Sequence, residues 1–528
     1  MQAARSLELR GGVLGYAPQT TPAQTAPAQV KPASQTHVRR FKAARGGRLV
    51  GGFGNILGDS SRSQTRMDLR GLINHARVAA QNVDYLKSYE MMVRRHVVGW
   101  NGISLQMNGQ NRDGKPDKPA NQAIEKAWAS WCRRGNCTPC GRLSWWKIEK
   151  VAATMLAREG NFLLREWRGR AFGKFGYQVQ PISVDLLDLD LVQTLSGGRY
   201  IDGGVEFNQF GRPLAFHMFD GHPMEAHTGR TRHRLRIPAS EVIHVIRETE
   251  TGQALGTPES HTALRRFNML SKYEESALTA AHYGAAAMVF LEQNDPDGAP
   301  TAAPSADDEI PDEIEAGTIV DLPPGYTAKG NPSNYPDANM PGFMKSLTRG
   351  GAAGLGVSYA GLSSDMEGAN FSSLKDGRGE ERDEWRVFQR DLSEGLHDEV
   401  FKSFLPMAFL SNQVVLPSGK LLPMSSEGKF REAATWRGRG WASVNPKDDA
   451  VANEKNLANL LVAPSDIVAE RGEDFEQVAM RFARDVETLD AARPGLGLAL
   501  LASLKSTTAL SPPDPDQGED GSQDPNNG

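Results

Sequence analysis

The sequence predicts an α+β chain organised around long helices, and three observations carry that reading. Trp385, Phe388, Leu392, Leu396, Val400 and Phe404 recur every three or four residues, while Glu384, Arg386, Gln389, Arg390 and Asp391 fill the other face. That is the pattern of an amphipathic helix. A second helical pattern runs from Pro258 to about Phe290, with Thr257 placed to cap it and Pro258 suited to its first turn. Between 161 and 245, short β-rich runs alternate with turn residues, as in a sheet of hairpins.

The two helical stretches frame the rest. Pro406 is expected to stop the helix over 381–404. Before it come a Gly/Ala-rich helix at 342–358 and a stretch of Ser, Gly and Asn at 359–380. This stretch has two isolated apolar anchors, Phe371 and Leu374. It reads as an exposed loop, and a loop of that length between strong helices is more often functional than idle.

In chain order, 1–66 reads as a disordered arm, because Ala, Pro, Gln and Thr dominate Tyr16 to Gln35 and cannot bury a core. Arg39, Arg40, Lys42, Arg45 and Arg48 form a basic cluster in that arm. It is either a solvated face or a contact for DNA or an acidic partner. Helices are expected from Met67 (Leu69, Leu72, Ile73, Ala76, Ala80), over Val83 to Val98, over Asn121 to Trp131 and over Trp146 to Arg158. Strands are expected at 161–166, 177–182, 204–207, 213–218 and, as one run, 237–245. The region 292–341 is rich in Pro and acid, with short strands expected at 317–322 and 326–329. A hairpin is expected at 414–423, then helices at 450–461, 464–471 and 474–489. From 501 the chain reads as a disordered acidic tail.

Several function classes are excluded. With 60 Lys and Arg against 64 Asp and Glu, the net charge of −4 gives no sign of a nucleic-acid coat. Cys132, Cys137 and Cys140 are the only cysteines in 528 residues, which fits a reducing compartment and no disulfide framework. A Cys-x-x-Cys pair can hold a metal, but a structural site wants four ligands. A reduced turn is therefore the expectation, with no metal and no cofactor. No apolar run is long enough for a membrane span and no leader is expected. Ser372-Ser373-Leu374-Lys375 is formally S-x-x-K, but the partner words S-D-N and K-T-G are absent. Walker A, H-E-x-x-H and G-x-S-x-G are absent too, so no enzyme is expected. A sequence-specific DNA reader would need a basic recognition helix, whereas the long helices are charge-balanced.

Three groups of words give a resemblance. They are Gly354-Leu355-Gly356-Val357-Ser358-Tyr359 with Leu362-Ser363-x-Asp365 and Asn370-Phe371-Ser372-Ser373; His75-Ala76-Arg77 with Gln81-Asn82 and Val97-Val98-Gly99-x-Asn101-Gly102; and Arg439-Gly440-Trp441-Ala442-Ser443-Val444-Asn445-Pro446. Taken in chain order, these words resemble the lambda-type portal proteins of tailed bacteriophages. The resemblance implies a portal fold: an α/β wing at 67–256, a stem of helices at 257–291 and 342–358, a clip at 292–341, a tunnel loop at 359–380, a long tunnel helix and return to the wing at 381–446, and a helical crown at 447–500. It implies a DNA-channel lining of Ser363, Ser364, Asp365, Glu367, Asn370, Ser372, Ser373 and Lys375. Ala277, Ala281, Gly284, Ala285 and Met288 would pack one stem helix on the next subunit, and Asp321, Tyr326 and Lys329 would lie in the clip. The implied partners are further copies in a dodecameric ring, double-stranded DNA bound without regard to sequence, the terminase large subunit, head–tail connector proteins, and the major capsid and scaffolding proteins. The implied location is the virion's portal vertex, reached by assembly in the host cytoplasm. Another head–tail adaptor or minor capsid protein is the alternative. Charge-balanced helices suit a channel, because a strongly basic lining would grip the duplex.

Overall fold

The computed structural model describes residues 61–222, 233–285, 289–293, 326–330, 339–367, 371–441 and 446–507. The described chain mixes helices with four small sheets. It begins with α1 (Ser61–Asn82) and α2 (Asp84–Val93), and α2 runs on into a π-helical turn at Arg94–Val98. Strand β1 (Ser104–Met107) leads to α3 (Lys118–Trp131) and α4 (Trp145–Glu159). The strands β2 (Asn161–Arg168), β3 (Tyr177–Ile182), β4 (Gln193–Thr194), β5 (Tyr200–Asp202), β6 (Val205–Phe207), β7 (Pro213–Phe219), β8 (Arg234–Pro238) and β9 (Val242–Ile246) follow. Then come α5 (His261–Ala285), β10 (Val289–Gln293), β11 (Tyr326–Gly330), α6 (Met340–Gly354), α7 (Tyr359–Ser363) and α8 (Phe371–Leu392). A second π-helical turn at Ser393–Asp398 joins α8 to α9 (Glu399–Leu410). The chain closes with α10 (Glu427–Phe430), β12 (Ala434–Arg437), α11 (Pro446–Ala458), α12 (Pro464–Glu470), α13 (Phe475–Ala492) and α14 (Leu496–Thr507). None of the described helices is long and apolar enough to cross a membrane.

The main core is aromatic. Trp128 meets Trp131, Trp145, Phe401, Phe404 and Trp436 with ring centroids 4.9 to 5.8 Å apart, mostly edge-on. Such rings bury large area and add about 0.5–1.5 kcal/mol per well-oriented pair. Trp131 Nε1 donates to the Tyr177 carbonyl at 2.9 Å, so the indole is buried without an orphaned N–H. A smaller core lies where Leu69 and Ile73 of α1 pack on Val205, Phe207 and Phe216 of the five-stranded sheet β4-β5-β6-β7-β8.

At the centre sits His397, fully buried in the second π-helical turn. Its Nε2 is 2.7 Å from Glu149 Oε1 and its Nδ1 is 3.2 Å from the Leu392 carbonyl. Both ring nitrogens thus have a polar partner. The pair joins α4 to the long helix in a site with no solvent to replace either partner.

Several expectations need correction. The arm expected at 1–66 ends earlier, because α1 begins at Ser61; residues 1–60 lie outside the described residues. The single strand expected over 237–245 is two strands in two sheets. β8 pairs with β7 and β9 pairs with β2, and a 3₁₀ turn at Ala239–Glu241 carries the chain across. The helix expected from Thr257 starts at His261, because the preceding segment is pinned on α4. Glu259 N donates to the Ala157 carbonyl at 3.1 Å, and a Cβ on Gly160 would stand 2.3 Å from Thr257 C. That helix also stops before Phe290, which lies in β10. The stop expected at Pro406 does not occur: Pro406 sits inside α9, where Phe404, Leu405, Ala408 and Phe409 are buried around it. The missing N–H forfeits one helical bond, and core burial offsets it. The hairpin at 414–423 reduces to one bridge, Val415 with Leu421. The tail expected from 501 is helical to Thr507, and 508–528 lie outside the described residues.

Candidate functional site

The candidate site is the connection between the helical hairpin α5–α6 and the long helix α8. Its foundation is close helix packing. A Cβ on Gly351 would stand 2.3 Å from the Phe267 ring, and one on Gly350 would stand 1.9 Å from Arg266 Nη1. The small residues of α6 therefore let α5 approach, and Thr262 Oγ1 of α5 donates to the Gly354 carbonyl at 2.9 Å. Ala277, expected to face a neighbouring subunit, is 3 % exposed within this chain. Ala281 is half-buried, Gly284 and Ala285 end α5, and Met288 lies outside the described residues.

After α6, Ser358 caps α7, its Oγ accepting from Gly361 N at 3.1 Å. Ser358 Oγ in turn donates to Glu381 of α8. Ser88 Oγ of α2 donates to the Leu362 carbonyl at 2.9 Å, which fixes α7 against the core. The loop expected over 359–380 is therefore much shorter. Tyr359–Ser363 and Phe371–Leu392 are helical, so the connector is at most 364–370, of which 368–370 lie outside the described residues. Extending a preformed helix backwards needs no new nucleus. Gly377 and Gly379 cost it about 1 kcal/mol each.

Within the connector, Ser364 takes the left-handed conformation at φ 59° and ends α7. Ser363 Oγ donates to the Tyr359 carbonyl at 2.8 Å and accepts from Asp365 N at 3.3 Å. Asp365 is the organising residue. Its Oδ2 accepts from the Tyr359 hydroxyl at 2.6 Å and lies 3.1 Å from Lys345 Nζ. Its Oδ1 accepts from Glu367 N at 2.9 Å. The Tyr359 hydroxyl foremost, then the Glu367 N–H and Lys345, hold its carboxyl at about 2. Glu367 is the outward group, with its side chain 89 % exposed. Asn370 lies outside the described residues. Ser372, Ser373 and Lys375 stand on the first turns of α8, so the S-x-x-K word is helical here.

At the far end of the hairpin, β10 pairs antiparallel with β11, setting Gln293 opposite Tyr326 and Phe290 opposite Lys329. A second short strand was expected at 317–322. That segment, with Asp321, lies outside the described residues. Among the cysteines, Cys137 is buried and its thiol is pushed up to about 12 by burial, while Cys140 is exposed. Among the described residues no cluster of three metal-ligating side chains occurs.

One residue that sequence reasoning missed is Arg247, which ties the sheet to the hairpin and the long helix. It reaches Glu259 at 3.2 Å, Glu384 at 3.1 Å and Asp391 at 2.9 Å, with its guanidinium 4.4 Å from the Phe388 ring centroid. The only sequence signal was its place just after a β-rich run.

Compared with known proteins, residues 55–389 match the family described as phage portal protein, lambda family. The chain is 29 % identical over 497 residues to a probable portal protein of Halomonas phage phiHAP-1, covering 92 % of this chain and 91 % of that one. It is 22 % identical over 409 residues to portal protein B of Escherichia phage lambda, covering 71 % and 74 %. Among solved structures, a chain from the virion of a native gene transfer agent particle aligns with 12 % identity and a TM-score of 0.40. That alignment covers 76 % of this chain and 91 % of that chain.

Proposed function

Since the chain belongs to the lambda family of phage portal proteins, we propose that it assembles into a ring at one capsid vertex. Double-stranded DNA passes through that ring during packaging and ejection. The observation that carries this is the family match across the whole candidate site, from α1 to the arginine-bearing part of α8. In this reading the sheets with α1–α4 are the wing, α5 and α6 the stem, β10–β11 part of the clip and α11–α14 the crown. The connector 364–370 faces the channel. Glu367 and Asp365 keep that surface from gripping phosphate, and Ser363, Ser364, Asn370, Ser372, Ser373 and Lys375 add only neutral or weak contacts. The outer side of the hairpin meets the next subunit. Met269, Leu278 and Phe343 are exposed there, whereas Ala277 faces inward. The clip, with Asp321, Tyr326 and Lys329, docks the terminase motor and later the connector proteins. Capsid and scaffolding proteins meet the assembled ring during head assembly.

The test is DNA packaged per procapsid by rings carrying Glu367→Lys. The expected result is normal rings with impaired packaging that recovers as salt is raised, because phosphate contacts sum round a ring and are screened by salt. Full packaging at low salt would remove the connector from the channel.

A further inference from the structure

Summed along the sequence α8 is close to neutral, but folding sorts its charges. Arg378, Arg382, Arg386 and Arg390 stand four residues apart. They therefore follow one ridge of the helix, about 6 Å apart along its axis. Of the four acids between them, Glu381 and Glu384 are engaged elsewhere, as is Asp391 just beyond Arg390. Glu384 and Asp391 bind Arg247, and Glu381 accepts from Ser358 and from the Trp385 indole. Glu380, exposed between Arg378 and Arg382, and Asp383, 2.7 Å from Arg386, remain beside the ridge, and Glu394 pairs with Arg390. Asp449 contributes to the field at Arg382.

Two further arginines join this ridge from other elements. Arg439 donates to the Arg95 carbonyl at the first π-helical turn. Arg386 stands 5.7 Å from the Trp441 ring centroid; Trp441 Nε1 lies 3.0 Å from His96 Nδ1, and His96 stacks on Trp385. Arg95, Arg378 and Arg439 have no carboxylate partner among the described residues. The crowding leaves its mark. Burial first, and then the Arg95 and Arg382 charges, lower the Arg439 guanidinium, and burial followed by Arg439 holds His96 down at about 4.

We propose that this ridge, with Arg95, Arg378 and Arg439 as the members that have no carboxylate partner among the described residues, is a track for the phosphodiester backbone of duplex DNA. Guanidinium groups suit phosphate oxygens, and a regular row on a rigid helix suits a regularly charged polymer. The contacts are independent of sequence. Glu380, Asp383 and Glu394 temper them, so the duplex is touched and not held. The inference deepens the channel reading and rests on it. An acidic peptide is the competing occupant, and the chain itself carries one in Asp514, Asp516, Glu519, Asp520 and Asp524. The even spacing along α8 favours the nucleic acid.

The experiment is fluorescence anisotropy of a short random-sequence duplex with the full chain across a salt series. The variant joins Arg95→Ala, Arg378→Ala and Arg439→Ala; the control joins Arg133→Ala and Arg134→Ala, two exposed residues beyond α3. The triple variant is expected to bind at least about tenfold more weakly, with the slope of log K against log salt smaller by about 2–3, near 0.9 per lost contact. The control is expected to match the parent. Equal affinity and slope in the triple variant, at an unchanged melting temperature, would overturn the track. So would a tenfold gain in duplex binding on deleting 512–528, since the ridge would then serve the acidic end. Micrographs of the same samples separate the two readings. Rings without ridge-dependent binding overturn the track alone, and ridge-dependent binding without rings overturns the ring alone.

Discussion

The central core and the C-terminal helices are built by opposite rules. In the core, Trp131, Phe401, Phe404 and Leu396 are fully enclosed, and even the polar pair His397 and Glu149 is satisfied internally. Helices α11, α12 and α13 contain no buried residue at all. Phe475, Met480 and Phe482 of α13 stay exposed, as does Leu460 at 90 %. Polar ties join this region to the core, among them Gln106 to Asp474 at 2.6 Å, Lys118 to Glu476 at 2.8 Å and Arg437 to Asp474 at 3.6 Å. One region is a folded body in a single chain. The other has apolar faces that a single chain leaves uncovered, as expected of a surface completed by neighbours.

Breaking the core should therefore have the largest effect. Trp131→Ala is expected to cost about 3–5 kcal/mol, read as a lower urea midpoint of the isolated subunit. Glu149→Ala should cost a similar amount, about 3–5 kcal/mol, because it strips one partner from a buried pair. Retention of the parent midpoint by either would mean the core is looser than its packing indicates.

Gly351→Leu in α6 comes next. It would push a side chain into Phe267, and overpacking of that kind costs about 1–3 kcal/mol. The same urea titration measures it. Met480→Ser with Phe482→Ser in α13 should change the subunit's midpoint by no more than about 0.5 kcal/mol while reducing ring assembly in light scattering. A large loss of subunit stability would show that these side chains are core after all.

The smallest effect concerns Asp365. Its carboxyl is held down to about 2, so its contribution to the connector is fully present above its ordinary value near 4. That contribution is lost as pH falls toward 2. Asp365→Asn should remove this dependence. Hydrogen exchange at the Glu367 amide, compared between parent and variant across that window, would show it, and identical profiles would deny Asp365 its organising role.

Much of this contrast was legible in the sequence. The three-and-four spacing of Trp385 to Phe404 marked the helix that carries the core, and the β-rich runs at 161–166 and 177–182 became β2 and β3 nearly as read. What failed depended on contacts distant in sequence. Whether 237–245 is one strand or two depends on which sheet each half joins. Pro406 was overridden by the burial around it. Glycines at 377 and 379 suggested a loop, but a helix already nucleated downstream ran through them. The wiring of the candidate site was not legible. Asp365 was expected in a channel lining, and its ties to Lys345 and Tyr359, distant or turned back along the chain, were not foreseen. The near-zero charge of α8 likewise concealed that Arg247, far away in sequence, removes two of its acids.

Cryo-electron microscopy of the purified full-length chain tests the central claim most directly. Closed rings are expected, with a hole wide enough for duplex DNA, the connector 364–370 at the inner surface, and α11–α14 packed against their neighbours. Discrete monomers under conditions that keep the core folded, or rings with that connector on the outside, would contradict it.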